Sequence, residues 1–291
     1  MTAPDVVALG ETMLSLVAVD GDLGSATTFR ATHGGAESNA CVALVRRGLR
    51  AAWVSRLGDD PAGARIRGWL AGAGVDLTWV TTDPHRPTGL MLRDTAGGVR
   101  YWRTGSAASA LSPDDLRAVP VEEARAVLVT GITPLLGEGP GRAAAASFDR
   151  AEGLRLLDVN LRPGLWGSAR AGELLAPLVT RCDVLVGSAA ELGLFADGEA
   201  EGLARACAGL GPREVIVRSA DRVGGLDERG IWHEHPGDRR ADVDPVGAGD
   251  AFDAGYLATR LGGGGVADAL AAGADAGALV ATSLGDTGAL R

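Results

Sequence analysis

The sequence contains no lysine, so all 28 basic residues among its 291 are arginine. Coding bias in a GC-rich genome accounts for that choice, but its chemical consequence is strict. There is no lysine for a Walker A loop and none for a Schiff base. Cysteine is scarce as well. Cys41, Cys182 and Cys207 are odd in number and far apart, which argues against a disulfide framework or a zinc ribbon and fits a reducing, cytoplasmic compartment. Positive charge is in the minority, with a net charge of −9 and no basic block. Such a chain is a poor partner for nucleic acid or an anionic membrane. Long apolar runs are missing too. The most apolar stretch, residues 266–284, is broken by Asp268 and Asp275 and is too interrupted to span a bilayer. The first ten residues carry Asp5 and no basic residue, which does not read as a secretory signal.

What is present is ample apolar material, 46% of the chain, arranged as short runs alternating with longer amphipathic ones. Strands are expected at Val6–Leu9, Ala51–Ser55, Ala126–Thr130, Leu154–Asp158, Val184–Val186 and Val215–Val217. Helices are expected at Ala36–Gly48, Ala62–Ala73, Gly141–Glu152, Ala169–Val179, Ala189–Leu194, Glu201–Leu210, Ala248–Leu261 and Val266–Ser283. This alternation predicts an α/β fold with a doubly wound, mostly parallel sheet and helices on both faces. One region breaks it. Thr88–Arg93 and Gly98–Arg103 flank a Thr-Ala-Gly-Gly turn, a hairpin signal, and Ser15–Val19 with Thr27–Thr32 can join them. These segments, about 12–33 and 86–107, are expected to form a small β-sheet lid within one domain covering residues 1–291.

Five places could carry chemistry. Asp244-Pro245-Val246-Gly247-Ala248-Gly249-Asp250 leads into an amphipathic helix. Glycines admit a ligand to the backbone, and a helix start offers unpaired N–H groups, so Gly247, Ala248 and Gly249 would form an anion hole. Asp250, in the first turn, would take a proton from an attacking hydroxyl. A lone glycine turn before a helix would mean little; the seven-residue run is more specific. Gly34-Gly35 with Asn39 opens another helix, where substrate binding and an ordinary capped loop are equally good readings. Asp158-Val159-Asn160-Leu161-Arg162 ends a strand, where open α/β sheets bind ligands. Arg103 could hold a carboxylate bidentately, although spacing alone favours a solvated edge charge. Ser188-Ala189-Ala190-Glu191 fits a capping box better than a magnesium site. His233-Glu234-His235 alternates like a metal site but reads better as a polar edge strand.

With these residues in place, the chain resembles the ribokinase/PfkB carbohydrate kinases over nearly its whole length. Gly34-Gly35 with Asn39 and the Val54–Gly63 segment look like the family's N-terminal signature, and Asp244–Asp250 like its C-terminal one, with Pro245 where threonine is usual. Gly10-Glu11-Thr12-Met13, Arg103 before Gly105-Ser106-Ala107-Ala108, and Asp158-x-Asn160-x-Arg162 with Trp166 are similar to the 2-keto-3-deoxygluconate kinases. The resemblance implies a ribokinase-like fold whose lid often clasps a second copy, and ATP with Mg²⁺, often with a stimulating K⁺. It implies that Asp250 is the base, that Gly34, Gly35 and Asn39 hold sugar hydroxyls, and that Arg103 meets a carboxylate. Arg162 would lie near the transferred phosphate. On the nucleotide side it implies Ser188, Glu191, Arg218, Ala220, Arg222, Gly247 and Gly249, with Glu191 reaching magnesium through water.

That side departs from the family pattern. Ser188 stands where asparagine is usual, Ala220-Asp221-Arg222-Val223 replaces Gly-x-x-Gly, and Ala274 replaces an asparagine. A side chain and a negative charge in the glycine loop are expected to weaken ATP binding or shift nucleotide preference, with Arg222 compensating in part. An ATP KM in the low micromolar range would contradict this. A kinase of a neutral sugar such as fructose or ribose, and a sugar-acid-binding pseudokinase, are the alternatives.

Overall fold

The structure is a computed structural model and describes residues 3–94, 96–161, 168–219, 221–237 and 246–282. In chain order the strands are β1 (Val6–Leu9), β2 (Met13–Ala18), β3 (Phe29–Gly34), β4 (Ala51–Gly58), β5 (Val80–Asp83), β6 (Leu90–Arg93), β7 (Val99–Trp102), β8 (Ala126–Thr130), β9 (Leu154–Asp158), β10 (Val184–Ser188), β11 (Glu214–Arg218), β12 (Arg222–Leu226) and β13 (Trp232–Pro236). The helices are α1 (Ala36–Val45), α2 (Pro61–Gly72), α3 (Ile132–Leu135), α4 (Glu138–Arg150), α5 (Ser168–Val179), α6 (Ala189–Leu192), α7 (Ala200–Ala208), α8 (Ala248–Leu261) and α9 (Val266–Ala281).

The main sheet runs in the order β13-β12-β11-β10-β9-β8-β1-β4-β5. From β11 to β5 every pair is parallel, and β12 and β13 add an antiparallel edge. The doubly wound sheet expected from the strand–helix alternation is therefore present, with β5 and the β12–β13 hairpin beyond the expected strands. His233 and His235 sit on the edge strand β13, and among the described residues no group of three or more acidic, histidine or cysteine side chains could hold a metal.

Strand residues alternate between two cores. Val6, Ala8, Trp53, Leu128, Leu156 and Val186 pack with α1, α2, α8 and α9. Val7, Leu9, Val54, Val129, Leu157 and Leu185 pack with α4, α5 and α7 on the other face. Strands apolar on both faces are what a parallel sheet covered by helices requires. Helix α1 is buried on every side from Ala36 to Leu44, polar Glu37, Ser38 and Asn39 included. Polar groups so placed need partners, and theirs lie in the site described below. No described helix is long and apolar enough to cross a membrane.

A second sheet, β3-β2-β6-β7, is formed by the two segments that interrupt the alternation. Asp60, before Pro61 at the start of α2, ties it to the main body. Its Oδ1 accepts from the Gly63 amide at 2.7 Å and its Oδ2 from the Thr88 amide at 2.7 Å. The Thr88 hydroxyl in turn accepts from the Gly58 amide at 2.9 Å. In the Gly58-Asp59-Asp60-Pro61 signature, Asp60 thus anchors the chain just ahead of β6.

Candidate active site

The strand order reverses direction at β1, since the chain proceeds to β4 on one side and later to β8 on the other. Crevices at the carboxyl ends of strands at such a point are where open α/β sheets bind ligands. A cavity of about 460 Å³ lies there, bounded by the ends of β9, β10 and β11, the starts of α1 and α8, and the small sheet.

Asp250 sits 4% exposed in the first turn of α8. Gly247 caps that helix with φ +87°, a left-handed conformation that glycine adopts without a Cβ clash. The helix leaves its first amides without internal acceptors. Asn39, from the first turn of α1, donates its Nδ2 to Asp250 Oδ2 at 2.7 Å. Asn160, just past β9, places Nδ2 3.0 Å from Asp158 Oδ2 and 3.4 Å from Asp250 Oδ1. The sequence-expected Gly34, Gly35, Asn39, Gly247, Gly249 and Asp250 all line this cavity. Gly35 is needed for space: a Cβ there would lie 2.4 Å from the Glu11 carbonyl oxygen.

Behind Asp250 lies a buried ionic group. Arg218, at the end of β11, donates to Asp158 Oδ1 at 2.6 Å, to Asp253 Oδ1 at 3.4 Å and to the Gly249 carbonyl at 3.3 Å. Burial opposes the charge on Arg218, but Asp158 and Asp253 outweigh it and raise its pKa. Burial, then the nearby Asp158 carboxylate, pushes the Asp253 pKa well above its ordinary value. Asp158 is fully buried, so the strand end is fixed by charge as well as by the ladder.

Arg103 lies one residue beyond β7 and is 9% exposed. It is no solvated edge charge. Its Nε and Nη2 donate to Glu11 Oε2 at 2.7 and 2.5 Å, and the Ser106 hydroxyl donates to Glu11 Oε1 at 2.5 Å. Arg93, the last residue of β6, is 3% exposed and lines the same cavity with Tyr101.

Glu37 is buried beside them. Its Oε1 accepts from the Thr130 amide at 3.1 Å, the Thr130 hydroxyl at 2.8 Å and the Thr133 hydroxyl at 2.7 Å. Burial raises its pKa to about 7, against the pull of these donors. Sequence reasoning assigned no role to Glu11, Glu37, Arg93 or Asn160. Glu11, Glu37 and Asn160 lay within motifs already singled out, whereas Arg93 carries no local signal of a site.

On the opposite side, Ser188 and Glu191 form the capping box that their spacing suggested. Glu191 Oε2 accepts from the Ser188 amide and hydroxyl at 2.7 and 2.8 Å, and Oε1 accepts from the Leu161 amide at 2.8 Å. Both residues also line the cavity, as does Arg218. Arg222 begins β12 with its side chain 61% exposed, 3.8 Å from Asp221, and is not among the cavity-lining residues. Arg162, Trp166 and Ala220 lie outside the described residues.

Taken together, these groups can deprotonate a hydroxyl, receive an anion at a helix start and present arginines to an acidic ligand. The 2-dehydro-3-deoxygluconokinase of Thermoproteus tenax is 34% identical over 98% of this chain and 90% of its own. The 2-dehydro-3-deoxygalactonokinase of Haloferax volcanii is 33% identical over 98% and 93%. The crystal structure of a PfkB protein from Polaromonas sp. JS666 superposes with a TM-score of 0.88 at 32% identity, covering 97% of each chain. Residues 3–291 match the family described as pfkB family carbohydrate kinase, and the chain belongs to that family of sugar phosphotransferases.

Proposed function

We propose that the protein phosphorylates a primary hydroxyl of 2-keto-3-deoxygluconate with ATP. The observation that carries this reading is one cavity with an amide-clamped carboxylate, Asp250, on one side and two buried arginines, Arg93 and Arg103, contributed by the small sheet. A sugar acid needs both ends recognised: a base for the hydroxyl and a planar cation for the carboxylate.

In this reading Asp250 accepts the proton of the attacking hydroxyl. The Asn39 and Asn160 amides hold the carboxylate so that its lone pairs meet the substrate in a fixed direction. The first-turn amides of Ala248 and Gly249, with the field of α8, receive the negative charge of the phosphoryl group in transfer. Gly34 and Gly35 let the sugar lie against the backbone, and Asn39 adds polar contact to its hydroxyls. Arg162 is proposed to approach the transferred phosphate. Ser188, Glu191, Arg218, Ala220 and Arg222 are proposed for the nucleotide side, with Arg222 reaching it from an exposed position.

Magnesium bound with the nucleotide neutralises phosphate charge. The described residues fit a magnesium held mainly by phosphate oxygens and water, because they offer no closed ligand set. Glu191, its oxygens already accepting three hydrogen bonds, would contribute through water. K⁺ stimulation belongs to the same reading and is checked by exchanging K⁺ for Na⁺ in the assay.

The face of the small sheet turned from the cavity carries Leu14, Leu16, Leu90 and Leu92, with Trp102 55% exposed, beside Arg100 and His33. They support a homodimer clasped through this sheet, in a cytoplasmic protein whose three cysteines are free.

One observation favours a neutral sugar instead: Glu11 already holds the Arg103 guanidinium. The test is a coupled ADP-release assay with Mg-ATP and a panel of 2-keto-3-deoxygluconate, gluconate, fructose and ribose. Turnover with the keto-deoxy acid supports the proposal. Turnover with fructose or ribose alone transfers it to the neutral-sugar reading, and binding of sugar without turnover of any would leave a pseudokinase.

A further inference from the structure

We propose that Asn160 is itself a substrate-binding residue, whose Oδ1 accepts a hydrogen bond from the hydroxyl next to the one that is phosphorylated. This rests on the sugar-kinase reading of the same cavity and adds to it the residue that reads the neighbouring hydroxyl.

Three observations converge on this role. Asn160 is 4% exposed and lies in the cavity wall. It adopts φ +43°, a left-handed conformation that asparagine tolerates better than other residues with a side chain, directly after β9. Its Nδ2 faces two carboxylate oxygens, 3.0 Å from Asp158 and 3.4 Å from Asp250. That contact fixes which way the amide points. Turned over, Oδ1 would face two anionic oxygens and Nδ2 would lose both acceptors. Asp158 cannot yield easily, because Arg218 holds its other oxygen at 2.6 Å.

The amide oxygen is therefore left as an acceptor. It is buried, and among the described residues no donor reaches it. A buried amide oxygen without a donor is costly and marks a place where a ligand supplies the missing group. The chemistry of that group is restricted. A hydroxyl can donate; an ionised carboxylate or phosphate cannot. The acid end of the substrate is thus turned away from this wall, toward Arg93 and Arg103. Because Asn160 touches Asp250, the hydroxyl it reads must be a neighbour of the hydroxyl that Asp250 deprotonates.

The test is the ratio of kcat/KM for 2-keto-3-deoxygluconate to that for the same acid lacking the hydroxyl beside the phosphorylated carbon. In the wild type this ratio is expected to be about tenfold or more. In Asn160→Ala both rates fall, because Asp250 loses a support, but the ratio collapses to about twofold or less. A purely structural role would lower both rates and leave the ratio unchanged. Asn160→Gly, which suits the left-handed backbone at φ +43° and adds no charge beside Asp158 and Asp250, also removes the acceptor and carries the test if the alanine variant fails to fold. Retention of the wild-type ratio in Asn160→Ala and Asn160→Gly overturns the proposal. Absence of turnover of either acid by the wild type would overturn the sugar-acid reading, and this assignment with it.

Discussion

The two sides of the cavity are built on different principles. The side that holds Asp250, the proposed base, is assembled from the carboxyl ends of buried parallel strands and the first turns of α1 and α8. Asp250, Asn39, Asn160, Asp158 and Arg218 are joined there by hydrogen bonds of 2.6 to 3.4 Å. The other side is a four-stranded sheet against which α2 packs through Trp69 and His33, and the polar side chains it turns to the cavity are Arg93, Tyr101 and Arg103. The first arrangement suits chemistry that needs one fixed geometry. The second presents side chains that can vary without disturbing the base. In the proposed reading the phosphoryl chemistry, with the hydroxyl read by Asn160, rests on the main sheet, and selection of an acid rests on the small one.

The sharpest way to break this division is Asp250→Asn. Turnover should fall by about 10²–10⁴-fold, while calorimetric titration of the sugar acid should show affinity within about threefold of wild type, since the variant keeps the shape of the site and the other groups proposed to hold the acid. Comparable turnover would remove Asp250 from its role. A smaller effect is expected from Arg103→Gln, on the other side. The KM for the sugar acid should rise by about 10–100-fold, because Glu11 is left buried without its cation and the carboxylate loses its partner. The KM for a neutral sugar should hardly move. An equal rise for both would show that Arg103 only braces the small sheet.

The smallest effect concerns Glu37, where the sides meet. Its pKa is raised from an ordinary 4.5 to about 7 by burial. Below pH 4.5 the carboxyl is protonated whether the chain is folded or not. Between about 4.5 and 7 the unfolded chain releases its proton first, so this residue's contribution to stability falls as pH rises, and above 7 it stays low. Glu37→Gln should remove that fall. Relative to the wild type, its Tm should be higher by a few degrees at pH 8 than at pH 5. A Tm difference that does not change with pH would mean that Glu37 is ionised throughout.

Much of this organisation was legible in the sequence, for physical reasons. Short apolar runs marked β1, β8, β9, β10 and β11 because strands buried on both faces tolerate little else. Gly247 to Asp250 stood out because a left-handed cap and a first-turn carboxylate both leave traces in residue type. Arg103 did not reveal its burial, because its partner Glu11 lies in a different part of the chain. Glu37 looks like a polar residue at a helix start, and only the fold brings Thr130 and Thr133 to it. Arg93 sits at the end of a strand whose other residues gave the hairpin signal, and nothing local turns its side chain toward the cavity. The left-handed turn at Asn160, which aims its amide, is equally invisible in a run that reads Asp-Val-Asn-Leu-Arg.

The account turns on selection of an acid by the small sheet. The most direct measurement is kcat/KM for 2-keto-3-deoxygluconate against fructose, in the wild type and in Arg103→Gln. The wild type should prefer the acid by at least about a hundredfold, and the variant should lose most of that preference through KM. Fructose turned over as well as the acid, with the ratio untouched by the substitution, would contradict it.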